Sequence, residues 1–416
     1  MWAIATAGAL LRFGYVLLWR LNPLTWDAAC YDEAARRLLA HGYFAYGCGD
    51  LGLHPNAFTT PGYTLFVAGT YAVFGDGRGG LLAVRLLQAA MGVGVLLLVY
   101  LIARRIAGVR AGLLAIALAA VYPPFVQAGG DLMTEALYTL LFTLTVWLAL
   151  TCVEDPRAWR FLLFGLAGGF SALVRPAGIL WALFPLAILL VLRRAPLRGV
   201  ARWGAVAALG AVLVLAPWWV RNYAIYERFV PFNTSSANPL LVSTYWPDPP
   251  PPDTSVWPVA PSGDESAMNA AWQARARERL VSQVTSDPLR LLVTRADMVY
   301  VAVVDPNRLM SLRWHEHPTT VESAWDAFAR VLHVLMLALA LLGAWTARKS
   351  AKVLLAASVP VYLLAVNAFI LALPRYLLPA MPVVCVLAPL GVAAVVERWR
   401  QRSREPRGTM VPEAAD

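Results

Sequence analysis

The sequence predicts an all-α polytopic membrane protein with about 10–11 transmembrane helices, and three observations carry that prediction. Hydrophobic residues make up 59% of the 416 residues and charged ones only 14%, where soluble domains carry roughly 25% charged residues. Apolar runs close to the ~20 residues that cross a bilayer recur along the chain. Arginine and lysine gather in short clusters between those runs, as in the cytoplasmic loops of membrane proteins. The net charge of +10 is therefore read as topology and not as nucleic-acid binding.

The first run, 2–18, is too long for the apolar core of a signal peptide and has no cleavage pattern after it. Residues 25–42 follow it. Read as a helix, they place Tyr31, Ala34, Ala35, Leu38 and Leu39 on one face and Arg36 and Arg37 opposite. Such a helix suits the bilayer surface. It sets Asp27, Asp32 and Glu33 just past the end of the first run. Cys30 and Cys48 fall in this loop and form a disulfide or stay as two unrelated thiols; the sequence leaves both open. Cys152 and Cys385, in or beside apolar runs, read as small hydrophobes.

Nine further runs follow at 81–103, 111–127, 132–152, 159–173, 178–192, 203–220, 328–345, 353–371 and 376–396. The basic clusters around Arg104, Arg105 and Arg110, around Arg193 to Arg202, around Arg348 to Lys352, and from Arg398 onward alternate consistently when all are cytoplasmic. The segments around Asp131, Arg175, Arg221 and Arg375 then lie outside. An eleventh apolar stretch, 61–74, is short. If it crossed, Asp27 and Asp131 would face opposite compartments, so it is read as re-entrant or interfacial. Two outer loops result, 22–80 and 221–326. The second contains the proline-rich tract 246–253, which is expected to be stiff and extended. A polar helix at 270–284 and a more apolar one at 288–304 follow, forming a small helical cap. The tail 398–416 is basic, then rich in Pro and Glu, and is expected to be disordered. No internal repeat is seen.

The candidate chemistry lies at the outer ends of the runs. Asp131 follows Pro123, Pro124, Gly129 and Gly130, and opens the next run as DLMTE. Read as a helix, this puts Asp131 and Glu135 on one face. Acids at the end of a span are rare enough to be functional candidates, although Asp131 also suits an N-cap. Arg175, Arg221 and Arg375 all stand at outer ends, where arginine is disfavoured. A guanidinium grips phosphate bidentately, and snorkelling to outer head groups is the alternative. Arg12 and Arg85 fall inside runs. Asp27, Asp131 and Glu135 offer hard oxygen ligands for a divalent cation such as Mg²⁺ or Mn²⁺ if they converge. His315 and His317 have no metal-site spacing. The absence of a P-loop, a GxGxxG run and a serine nucleophile elbow argues against a cytoplasmic nucleotide-driven enzyme.

Taken in order, Asp27-x-x-x-Tyr31-x-x-x-Ala35-x-x-Leu38, Gly42, Pro61-Gly62-Tyr63, Arg85-Leu86-Leu87-Gln88, Tyr122-Pro123 to Asp131, Arg175-Pro176 and Arg375-Tyr376-Leu377-x-Pro379 resemble a known family. They look like the GT-C glycosyltransferases of the dolichyl-phosphate-mannose protein mannosyltransferase type, a clan that includes the lipid A aminoarabinose transferases. The likeness runs from Leu10 to about Pro382. It implies a GT-C catalytic transmembrane module over 1–220, an extracytoplasmic loop or cap over 221–326, C-terminal transmembrane helices over 327–397 and a cytoplasmic tail over 398–416.

The resemblance also implies an inner-membrane enzyme working on the extracytoplasmic side. Its donor would be a sugar on a polyprenyl phosphate, and its acceptor a hydroxyl of a lipid, glycan or protein, with inversion at the anomeric carbon. Asp27 matches the base, and Asp131 the acid that supports the site or a metal. Arg375 and Arg221 would hold the lipid phosphate. Tyr31, Asp32, Glu135 and Arg175 complete the expected substrate contacts, and Asp32 or Glu33 could replace Asp27. The chain departs from some relatives where an acidic-basic pair precedes the proline: Asn56 to Thr60 stand here before Pro61. A flippase of lipid-linked glycans is the alternative, and inert acids in a structural subunit of an envelope assembly a third. The lack of a repeat and the outer clustering of polar residues favour the enzyme.

Overall fold

A computed structural model describes residues 1–19, 23–24, 27–47, 54–248, 265–304, 306 and 320–403. The described residues are mainly helical, without strands. In chain order the helices are α1 (Trp2–Trp19), α2 (Asp27–His41), α3 (Gly62–Phe74), α4 (Arg78–Val121), α5 (Pro123–Gln127), α6 (Glu135–Glu154) and α7 (Ala158–Val174). A 3₁₀ turn (Pro176–Ala182) leads into α8 (Leu183–Val191). Then come α9 (Leu197–Tyr226), α10 (Ala237–Ser243), α11 (Glu265–Ser286), α12 (Pro288–Val304), α13 (Thr320–Thr346), α14 (Ala351–Phe369), α15 (Pro374–Leu377) and α16 (Met381–Arg402).

Among the described residues, six helices are long and apolar enough to cross a membrane. The apolar segments Trp2–Leu18, Gly62–Phe74, Ala158–Val174 and Pro176–Val191 are shorter. The chain is a multi-pass membrane protein, and the ten expected runs are helical over most of their length. The runs at 81–103 and 111–127 both lie mostly in α4, which non-helical backbone at Ala107 and Gly108 divides within the basic loop expected between them; the second run ends in α5. Gly108 has φ +85°, a conformation that glycine takes without a Cβ penalty, so the chain kinks there. The run expected at 132 begins its helix only at Glu135.

With little hydrophobic drive between helices in lipid, close backbone approach holds the bundle together. On α13 and α16 the glycines are reciprocal. A Cβ on Gly343 would lie 2.3 Å from the Leu387 carbonyl oxygen, and one on Gly391 2.0 Å from that of Leu339. Gly165 and Gly210 do the same for α7 and α9. Arg12, buried between α1 and α4, donates to the carbonyls of Ala119 and Ala120 at 3.0 and 3.1 Å. These are orphan acceptors of the last turn of α4, so this interior arginine serves as a helix C-cap. Arg85 is also fully buried.

The bundle has two chemically distinct ends. At one, Glu154 binds both Arg105, at 3.0 Å, and Lys352, at 2.6 Å, which joins three loops whose basic residues read as one side. At the other lie Asp27, Glu135, Arg175 and Arg375. Both ends of α3 are tied to this second end. Thr60, just before α3, donates to the Val174 carbonyl at 2.8 Å, and Asp76, just after it, binds Arg36 of α2 at 3.0 Å. Thirteen residues thus lie across the end of the bundle, in keeping with the interfacial reading.

On α2, Ala34 and Ala35 are buried as the periodicity requires, while Leu39 is exposed. Cys30 is disulfide-bonded; Cys48, its expected partner, lies outside the described residues. So do most of the proline-rich tract, His315, His317 and the tail from 404. Cys152 and Cys385 are free and buried. The cap comprises α10, α11 and α12. Ala237 and Leu241 of α10 pack on Met268, Trp272 and Ala276 of α11, and Met298 and Ala302 of α12 rest on Leu371 and Ala372.

Candidate functional site

The site forms where the start of α2, the end of α7 and the short α15 meet. Asp27 occupies the first turn of α2, where a carboxylate is favoured by the helix dipole. Its side chain is 50% exposed, so a substrate can reach it. Pro374 opens α15 at its first position. The turn then aims both terminal nitrogens of Arg375 at Asp27 Oδ2, each 3.4 Å away. That separation makes a loose ion pair, longer than a good charge-assisted bond.

Arg175 follows α7 in an extended conformation, as the next residue, Pro176, demands. It binds Glu135 Oε1 at 2.6 Å, and Glu135 is only 2% exposed. The other oxygen of Glu135 is buried without a hydrogen-bond partner. Arg175 and Arg375 each lie 5.3 Å from the centre of the Tyr376 ring, so two cations gather around one aromatic ring.

An aromatic wall backs Asp27. One turn along α2, Tyr31 meets Tyr46 at 4.8 Å and Tyr63 at 4.9 Å between ring centres. Asn56 fixes the backbone of Tyr46 with a reciprocal pair of 2.9 Å bonds. Burial first, then the nearby Tyr31 and the Asp27 charge, push the Tyr46 phenol above its ordinary value. It therefore stays protonated beside the carboxylate. On the far side, Tyr63 donates to Gln88 Oε1 at 2.6 Å. Gln88 in turn donates to the carbonyls of Asp131, at 2.7 Å, and Gly129, at 3.2 Å.

Those bonds explain a correction. Asp131 and Glu135 do not share a helix face, because Gln88 ties the 129–131 carbonyls outside the helix and α6 starts at Glu135. The N-cap residue of α6 is Thr134, not Asp131. Its charge acts instead on Arg85 and Tyr15.

The other expected residues sit apart from this cluster. Asp32 binds Arg36 at 2.9 Å and accepts from the Tyr71 hydroxyl, and Glu33 pairs with Arg37. Arg221 stands across the segment 43–47 from Asp27, donating to the Phe44 carbonyl at 2.8 Å and to Asn222 at 3.0 Å. Asp27, Asp131 and Glu135 were possible ligands for a divalent cation if they converged; among the described residues no three potential ligands gather, and Glu135 is engaged by Arg175. Sequence reasoning missed Tyr46, Asn56 and Gln88 as members of the site.

Residues 54–220 match the family described as dolichyl-phosphate-mannose-protein mannosyltransferase. No curated protein matches the sequence. Among solved structures, the oligosaccharyltransferase AglB from Archaeoglobus fulgidus, in complex with an inhibitory peptide and a dolichol-phosphate, is similar with a TM-score of 0.57 at 14% identity. That match covers 96% of this chain and 51% of AglB. The same protein tethered with an acceptor peptide containing the NVT sequon gives 0.56 at 14% identity, over 96% and 50%. ArnT from Cupriavidus metallidurans, bound to undecaprenyl phosphate, gives 0.47 at 16% identity, over 96% and 78%. The chain spans about half the length of the oligosaccharyltransferase. Likeness at such identities is a likeness of fold, and the fold is of GT-C type, as the sequence resemblance implied.

Proposed function

We propose that this chain is an integral membrane glycosyltransferase. It would move a sugar from a polyprenyl-phosphate donor to an acceptor hydroxyl on the extracytoplasmic face, with inversion. The observation that carries this reading is the half-exposed Asp27 carboxylate set against Arg375, with Arg175 sharing the Tyr376 ring. A base and a phosphate grip stand side by side. The lipid-phosphate ligand of the AglB structure supports the same donor class.

In this mechanism Asp27 takes the proton of the acceptor hydroxyl as its oxygen attacks the anomeric carbon. The bond from that carbon to the phosphate oxygen breaks on the opposite face, and the polyprenyl phosphate leaves with the electron pair. Arg375 and Arg175 stabilise the charge that grows on the departing phosphate. The 3.4 Å contact of Arg375 with Asp27 is loose enough for a phosphate to displace. Glu135 keeps Arg175 aimed, and Tyr46 keeps Asp27 aimed. An apolar cavity of about 300 Å³ opens between α6, α7 and α9, and Gly178, close after Arg175, lines it. It suits the prenyl chain of a donor whose phosphate rests at Arg175.

The test is sugar release from radiolabelled polyprenyl-phosphate sugars by purified wild type, Asp27→Asn and Asp131→Asn. Loss of turnover in Asp27→Asn with lipid still bound supports the base assignment. Equal turnover in wild type and Asp27→Asn removes Asp27 from the mechanism. Lipid movement across vesicles without turnover in any sample would favour the flippase.

A further inference from the structure

A second apolar groove lies away from Asp27. It encloses about 550 Å³ between α2, α3, α7 and α9, lined among others by Leu38, Leu65, Leu173, Val214 and Trp218, with Arg221 at its head. The Arg221 guanidinium is held by neutral groups alone: the Phe44 carbonyl, the Asn222 amide oxygen, and the rings of Trp218 and Phe44 at 4.8 and 5.6 Å. Among the described residues no carboxylate pairs with it. Glu265, whose charge reaches it, accepts from Tyr226 at 3.2 Å. A cation whose direct contacts are all neutral thus heads an apolar trough.

The depth of this groove also points to lipid. Arg221 lies one turn past Pro217, near the end of the thirty-residue α9. At ~1.5 Å per residue that helix outreaches the ~30 Å hydrocarbon core, which sets Arg221 at head-group level. On the rim, Leu65 is 50% exposed and Ile225 is exposed as well, as residues facing acyl chains would be. The segment 43–47 separates this groove from the catalytic cluster. Phe44 turns towards Trp218, at 5.2 Å, and Tyr46 turns towards Tyr31.

We propose that the Arg221 groove binds one anionic glycerophospholipid of the surrounding bilayer, with its phosphate on Arg221 and an acyl chain in the trough. This site is separate from the donor's phosphate site and does not depend on the transferase reading. The bound lipid would brace α2 and the Phe44 segment against α9, and so steady Tyr46 from behind.

The experiment is native mass spectrometry of delipidated protein titrated with dioleoyl-phosphatidylglycerol, dioleoyl-phosphatidylcholine or undecaprenyl phosphate. Wild type is expected to retain one phosphatidylglycerol roughly tenfold more tightly than phosphatidylcholine, the size of one charge-assisted contact. Arg221→Gln should lose that preference, and Arg221→Lys should keep most of it. Leu65→Trp, a change at an exposed rim position, should block both phospholipids, and it keeps the test open if Arg221→Gln does not fold. Unchanged phosphatidylglycerol binding in both Arg221→Gln and Leu65→Trp would overturn the proposal. So would a loss of undecaprenyl phosphate alone in Arg221→Gln, which would give the groove to the donor. Because binding is read without turnover, a failed transferase assay leaves this result intact.

Discussion

Glu135 and Arg175 form an ion pair at 2.6 Å in which the carboxylate is almost wholly buried. A buried pair adds little net stability, but removing one partner strands the other. Arg175→Gln should therefore lower the stability of the detergent-purified protein by about 3–5 kcal/mol. Adding Glu135→Gln should restore part of that loss. Thermal unfolding of the single and double variants checks it. Equal destabilisation of the two would mean that Glu135 tolerates burial without its arginine.

Tyr46→Phe removes the phenol that senses the Asp27 charge and that is placed to donate to the base during turnover. The ring would keep its contacts with Tyr31 and Phe58, so folding should be unchanged. On the transferase reading, losing one hydrogen bond to the base should lower kcat about tenfold, from roughly 1–1.5 kcal/mol. KM for the lipid donor should barely move. A rise in KM with constant kcat would place Tyr46 in donor binding instead.

Much of this site was legible because its parts obey local rules. The spacing of Tyr31, Ala34 and Ala35 pointed to α2, and the arginines at span ends stood out by their position. Asp27 and Arg375 were each named from the order of loose motifs, but their ion pair was not, since no spacing rule joins residues so far apart in the chain. Tyr46 was hidden because its place depends on Asn56, a loop residue whose bonds to the Tyr46 backbone exist only once the two segments have come together. Asp131 was misread for a related reason. The run of Pro and Gly before it signalled a break, but where the helix resumes is set by Gln88 reaching across from α4.

Gly391 tests what holds the C-terminal helices to the bundle. A Cβ there would fall 2.0 Å from the Leu339 carbonyl oxygen, a rigid backbone atom. Gly391→Ala must push α13 and α16 apart, which should cost about 1–3 kcal/mol or more. Gly14, where an added Cβ would meet nothing within 4 Å, provides the control: Gly14→Ala should unfold at the wild-type temperature.

The two ends of the bundle make a topological prediction. Gly77 follows α3 next to Asp76, which is tied to the Asp27 end by Arg36. Ala107 lies at the kink of α4 near Arg105, at the Glu154 end. A cysteine at Gly77 meets open space, and Ala107 is exposed, so both substitutions should be tolerated once Cys152 and Cys385 are replaced by Ser. An impermeant thiol reagent added to sealed inside-out or right-side-out vesicles should label the two positions from opposite sides. If α3 crossed the membrane, Asp76 could not reach Arg36, and a cysteine at the exposed His54, before α3, would be labelled from the side opposite to Gly77→Cys. Labelling of both His54→Cys and Gly77→Cys from outside the cell, with Ala107→Cys reached from inside, would place Asp27 in the compartment where the proposed reaction occurs.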